Sequence, residues 1–152
     1  MEDSTKPQML LGTHEHTIDD KNRLTLPAKF RESFAGPVIV AKGFDGCLRV
    51  FRGPDWTRRV ESRLASLDSF SQATRRIQRF HFTGASEAEL DKQGRVMIPA
   101  PLLKHAQLGR EVVVTGMGDH LEIWDREAWS HELAEVEGSA EDVAERLAAK
   151  SD

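Results

Sequence analysis

This chain is written twice. The stretch DDKNRLTLPAKFR, from Asp19 to Arg31, returns as LDKQGRVMIPAPLL between Leu90 and Leu103. At an offset of 72 positions, Gly12, Glu15, Asp19, Arg23, Pro27 and Ala28 meet Gly84, Glu87, Asp91, Arg95, Pro99 and Ala100, while Leu24 and Leu26 meet Val96 and Ile98. One inserted residue moves the offset to 73, after which Gly36, Val40, Gly43, Leu48 and Trp56 meet Gly109, Val113, Gly116, Leu121 and Trp129. Order and spacing hold across most of each half, the signature of duplication. A unit of about forty residues buries too little apolar area to be secure alone. The expectation is therefore one core shared about a pseudo-two-fold axis, an intertwined α+β barrel with flanking helices rather than two independent beads.

Each half predicts the same elements. A short strand (Glu15–Ile18; Ala88–Leu90) enters the charged turn, and the chain leaves as Arg23–Leu26 or Arg95–Ile98 with alternating apolar residues. Proline then opens a short helix, Pro27–Phe34 or Pro99–Ala106, where its missing N–H costs little. The β-branched runs Val38–Ala41 and Glu111–Thr115 and the strands Leu48–Phe51 and Leu121–Trp124 follow. Trp56, Val60, Leu64 and Leu67 are spaced for one helical face, as are Trp129, Leu133 and Val136. Both tryptophans read as packing anchors. A linker helix is expected around Gln72–Phe80 and a short last one over Ala140–Ala149. The organisation is thus an N-terminal extension over 1–9, a first half over 10–56, a helical linker over 57–81, a second half over 82–129, and an acidic helix or tail over 130–152.

Charge is distributed unevenly. The net value of −4 hides +3 over residues 1–121 and −7 over 122–152. An acidic tail can mask a basic surface, and local distribution governs steering more than the sum does. Met1–Gln8 lacks the apolar centre of a signal peptide, and no run is long enough to span a bilayer. The single cysteine, Cys47, excludes an internal disulfide and reads as a small core residue. These features suggest a cytoplasmic protein. His14 and His16 alternate on a strand and the other four histidines are dispersed, with no zinc spacing, and Gly116–Met117–Gly118 lacks the context of a dinucleotide loop. No nucleophile elbow or triad stands out, so no enzyme activity and no cofactor are expected.

The charged turns carry the functional signal. In each, an aspartate (Asp19, Asp91) precedes an arginine (Arg23, Arg95) by four positions, and Asn22 or Gly94 tolerates a left-handed backbone. An Asp–Arg pair across the turn would fix a guanidinium fork suited to phosphate or a guanine edge. Ordinary turn chemistry explains the aspartate and Asn22 or Gly94 without any function, and an exposed ion pair contributes little stability. It does not require arginine in both copies. Arg58, Arg59, Arg63, Arg75, Arg76 and Arg79 form a second basic group, either a phosphate-contacting surface or a solvated helical face.

Taken together, LGTHEHTIDDKNRLTLPAKFR, LDKQGRVMIPAPLL and LEIWDREAW, in that order, resemble the MraZ family of bacterial transcriptional regulators, related in fold to the AbrB-type swapped-hairpin DNA-binding proteins. The resemblance covers about residues 10–137. It implies two AbrB-like halves, association of chains into a closed ring as a homo-oligomer, and nucleoid-associated repression of the division and cell-wall gene cluster through direct repeats in promoter DNA. The family's D-x-x-x-R turns, its DNA-contacting feature, fall on Asp19 and Arg23 and on Asp91 and Arg95, with Lys21 and Lys92 as further phosphate contacts. Asn22 stands where the family's DxKGR form has glycine. Two other readings fit the residues: a structural or protein-interaction module that assembles through the doubled turns, and an AbrB-like antitoxin.

Overall fold

The computed structural model describes residues 8–151, so most of the expected N-terminal extension lies outside the described residues. Eight strands form: β1 Thr13–Thr17, β2 Arg23–Thr25, β3 Val38–Lys42, β4 Leu48–Arg52, β5 Ala85–Ala88, β6 Arg95–Met97, β7 Glu111–Gly116 and β8 His120–Asp125. The helices are α1 Ala28–Arg31, extended by a 3-10 turn over Glu32–Phe34, α2 Gly53–Leu64, α3 Gln72–Thr83, α4 Ala100–His105 and α5 Arg126–Ser151. Pro27 and Pro99 are the N-cap residues of α1 and α4, placing each proline just where the strand hands over to a helix.

Strand pairing makes the duplication physical. Six strands form one antiparallel sheet in the order β1-β7-β8-β4-β3-β5, and β2 pairs with β6 in a separate ribbon. Exchanging equivalent strands of the two halves reverses that order without altering it. The first strand of each half leaves its own half: β1 pairs with β7, from Thr13↔Thr115 to Thr17↔Glu111, and β5 pairs with β3, from Val38↔Ala88 to Ala41↔Ala85. The exchange is therefore internal to the chain. At the centre, β4 meets β8 with Val50 opposite Leu121. Among the described residues the ladders form a six-stranded sheet and a two-stranded ribbon, joined where Ile18 bridges Leu24.

One apolar cluster serves both halves. Leu24, Leu26, Val40, Val50, Val96, Ile98, Val114 and Leu121 are fully buried in it, with Phe30 and Leu102 contributed by α1 and α4. Each such side chain contributes about 1.5–3 kcal/mol through burial, and both halves supply them to the one cluster. Leu10, also fully buried, bridges Gly118 with a bond in each direction at 2.8 Å. Gly116 allows that approach, because a Cβ there would meet the Leu10 backbone at 2.5 Å.

Several boundaries differ from expectation. The strand expected at Ala88–Leu90 runs from Ala85 to Ala88, because register with β3 rather than intrinsic β-propensity selects it. Its counterpart begins at Thr13 instead of Glu15. Leu67 falls beyond the end of α2 and is 42% exposed, so it lies outside the half-buried stripe of Trp56, Val60 and Leu64. The two expected C-terminal helices are one, since Gly138 costs about 1 kcal/mol, too little to interrupt a helix of 26 residues. Trp56 packs on Phe51 and Trp129 on Trp124, as anchors of α2 and α5. Cys47 is fully buried.

Candidate functional site

The two charged turns fold identically. Asp19 Oδ1 accepts the backbone N–H groups of Lys21 and Arg23, each at 2.9 Å, and Oδ2 accepts Arg23 Nε at 2.8 Å. In the second turn Asp91 Oδ1 accepts from Gln93 at 3.0 Å and Arg95 at 2.9 Å, and Oδ2 accepts Arg95 Nε at 2.7 Å. The backbone N–H of Arg23 or Arg95 chiefly holds each carboxyl below the usual carboxylate range, and the guanidinium adds to this. Each aspartate therefore clamps the backbone of the turn and the Nε of its arginine together.

The clamp needs a left-handed residue at its tip. Asn22 has φ 61° and Gly94 φ 76°, so asparagine meets the requirement that glycine meets in the other copy. The carbonyls of these same residues join the two turns: Leu26 N–H donates to Gly94 O at 2.9 Å, and Ile98 N–H donates to Asn22 O at 2.8 Å. On the ribbon, Arg23 lies opposite Met97, Leu24 opposite Val96, and Thr25 opposite Arg95. Leu24 and Val96 are buried, so alternation puts Arg23, Thr25, Arg95 and Met97 on the outer face.

The geometry leaves a directed set of donors. With Nε occupied, both Nη groups of Arg23 lack a protein acceptor among the described residues. Arg95 spends one Nη on Gln93 Oε1 at 3.2 Å. A half-buried fork whose orientation is fixed and whose outer donors face solvent is an arrangement that can bind phosphate or a guanine edge bidentately. Lys21 extends from the first turn as an exposed residue, and Lys92 lines an open depression of about 490 Å³ beside the second.

Two residues at this site escape the repeat. Arg31, from α1 of the first half, lies across the second turn, where a Cβ on Gly94 would meet its side chain at 2.6 Å. Its Nε donates to Leu26 O at 3.0 Å. Its counterpart at the repeat offset is Leu103, so a search for matching positions passes over it. Exposed Met97, whose repeat equivalent is Thr25, escapes for the same reason. The linker arginines divide: Arg58 pairs with Asp55, Arg59 with Asp119, and Arg75 donates to the carbonyls of Ser69 and Phe70. On β1, His14 packs edge-on against Phe30. Among the described residues no three His, Cys, Asp or Glu side chains come together as a metal site, and no helix is long and apolar enough to cross a membrane.

Comparison with known proteins agrees with this internal symmetry. The profile described as "MraZ protein, putative antitoxin-like" matches twice, over residues 9–80 and 81–150. The Transcriptional regulator MraZ of Heliobacterium modesticaldum is 45% identical over 139 residues, covering 91% of this chain and 96% of that protein. Those of Desulforamulus reducens and Roseiflexus castenholzii are 42% and 41% identical, covering 91% and 92% of this chain and 97% of each relative. The relatives are named as regulators, not as enzymes. With two profile matches laid end to end and such similarity over almost its whole length, the chain belongs to the MraZ family.

Proposed function

We propose that this chain is a sequence-specific DNA-binding transcriptional regulator acting as a repressor. The observation that carries the reading is the same Asp–Arg clamp built twice and joined through one ribbon. Arg23 and Arg95 would read base edges in the major groove, Asp19 and Asp91 would hold them in position, and Lys21 and Lys92 would neutralise phosphates. The resemblance supplies the rest of the proposal: direct repeats in the promoter of the division and cell-wall gene cluster, a closed homo-oligomeric ring, and a nucleoid-associated place in the cytoplasm. A unit with few base contacts gains affinity when several linked copies engage sites of matching spacing. Assembly is further supported by α5, which carries exposed Leu133, Val136 and Val143 along its length.

Selection of bound DNA from a random duplex pool tests the proposal. Enrichment of a repeated motif, with affinity that depends on repeat spacing, is the expected result; assembly without enrichment would favour a protein-interaction module. The antitoxin reading requires a toxin-binding segment, and the second half instead repeats the first.

A further inference from the structure

Two buried arginines on one strand are treated differently by the fold. Arg49 and Arg52 lie on β4, each 9% exposed. Arg52 is matched by the buried carboxylate of Asp55 and by the Gln8 carbonyl at 2.8 Å. Arg49 has no carboxylate within ion-pair distance among the described residues. Its Nε and Nη2 donate to Lys42 O at 3.3 and 3.1 Å, and Nη2 lies 3.3 Å from His81 Nδ1. Glu122 is its cross-strand neighbour but accepts the Trp124 indole N–H at 3.0 Å. The rings of Phe44 and Phe51 lie within 6 Å of the guanidinium, a partial substitute for a counter-charge. Removing an unpaired guanidinium from water costs several kcal/mol, and among the described residues no carboxylate comes close enough to pair with it.

The space beside Arg49 is suited to such an anion. The sheet, α2 and α3 enclose a cavity of about 610 Å³, within the range of small-molecule sites. Arg49, Arg63 and His81 line it together with Trp56, Leu64 and Ile77. Burial lowers the proton affinity of His81, and the positive charges of Arg49 and Arg63 lower it further, so the field at that end is positive. Asp45 and Glu122 also line the cavity, but neither reaches ion-pair distance of its arginines. We propose that this cavity binds a small amphipathic organic anion, with its charged head on Arg49, Arg63 and His81 and its apolar body against Trp56, Leu64 and Ile77. The site is separate from the charged turns and does not depend on what they bind.

Anilinonaphthalene sulfonate, an amphipathic anion whose fluorescence reports its environment, is the probe, with uncharged N-phenylnaphthylamine as its control. The full chain is expected to bind one sulfonate molecule per protomer, with energy transfer from tryptophan that falls in Trp56→Phe. Arg49→Met should weaken sulfonate binding about tenfold and Arg63→Ala about threefold, each change corresponding to a loss of head-group contact. Exposed Arg76, outside the cavity, serves as the surface control, and Arg76→Ala should leave binding unchanged. Should Arg49→Met fail to fold by circular dichroism, Arg63→Ala against Arg76→Ala decides alone. Equal binding of the sulfonate by wild type and Arg63→Ala, or a parallel loss of the uncharged dye, would overturn the proposal.

Discussion

Asp19 and Asp91 each satisfy two backbone donors and one arginine at a solvent-exposed turn, so their substitution acts on aim more than on stability. If the turns read DNA as proposed, Asp19→Asn and Asp91→Asn should leave the thermal midpoint close to wild type while lowering discrimination between DNA sequences, a split visible when melting and competition binding are measured on the same samples. The tip residues behave in the opposite way. Gly94→Ala places a Cβ against Arg31 at a positive φ, and is expected to cost about 1–3 kcal/mol in denaturant unfolding. Asn22→Gly should be nearly neutral, since glycine adopts the same region freely. This asymmetry was legible in the sequence: Asn22 aligned with Gly94 already called for a left-handed tip. Arg31 over Gly94 was not, because no repeat position pairs with it and only the packing of the first half's helix against the second half's turn brings them together.

At the level of elements, exchange of β1 and β5 between the halves sets what each strand must tolerate. Gly116→Ala would push the Leu10 segment off β7, with an expected cost of about 1–3 kcal/mol from overpacking and faster hydrogen exchange at the Leu10 and Gly118 amides. The segment joining β7 to β8 is held by another contact, Asp119 with Arg59 of α2 and with His120. Burial alone would raise the Asp119 carboxyl, but the hydrogen bonds from Arg59 and His120 hold it at about 2, below its ordinary 3.8. A depressed carboxyl stabilises the fold fully above its ordinary value and loses that contribution as pH falls through about 2. Asp119→Asn should therefore lower stability at neutral pH and flatten the acid limb of a stability-versus-pH curve between 3.8 and about 2. Periodicity located most of these elements, yet it misplaced β5 and divided α5. Ala85–Ala88 has little strand character of its own, and the apolar spacing of Trp129, Leu133 and Val136 ends before Ala140–Ala149, although the helix runs on through both.

For the molecule as a whole, duplication predicted a shared core, and one cluster drawing on both halves is what the chain builds. The repeat could not say whether strands are exchanged within a chain or between chains; the β1–β7 and β5–β3 ladders place the exchange inside this one. The aspartates and arginines of the site were legible because they recur, whereas the joining of the two turns into one outer face depends on ribbon register that spacing alone does not contain. If the turns read DNA as proposed, affinity should fall steeply with salt through the phosphate contacts, while each base-reading arginine should account for about 1–3 kcal/mol of discrimination. The most direct test is the ratio of specific to non-specific duplex binding for Arg23→Ala, Arg95→Ala and the double variant, with assembly checked by light scattering. Collapse of that ratio in a correctly assembled double variant is the predicted result, and retention of the full wild-type ratio would contradict the assignment of the paired turns.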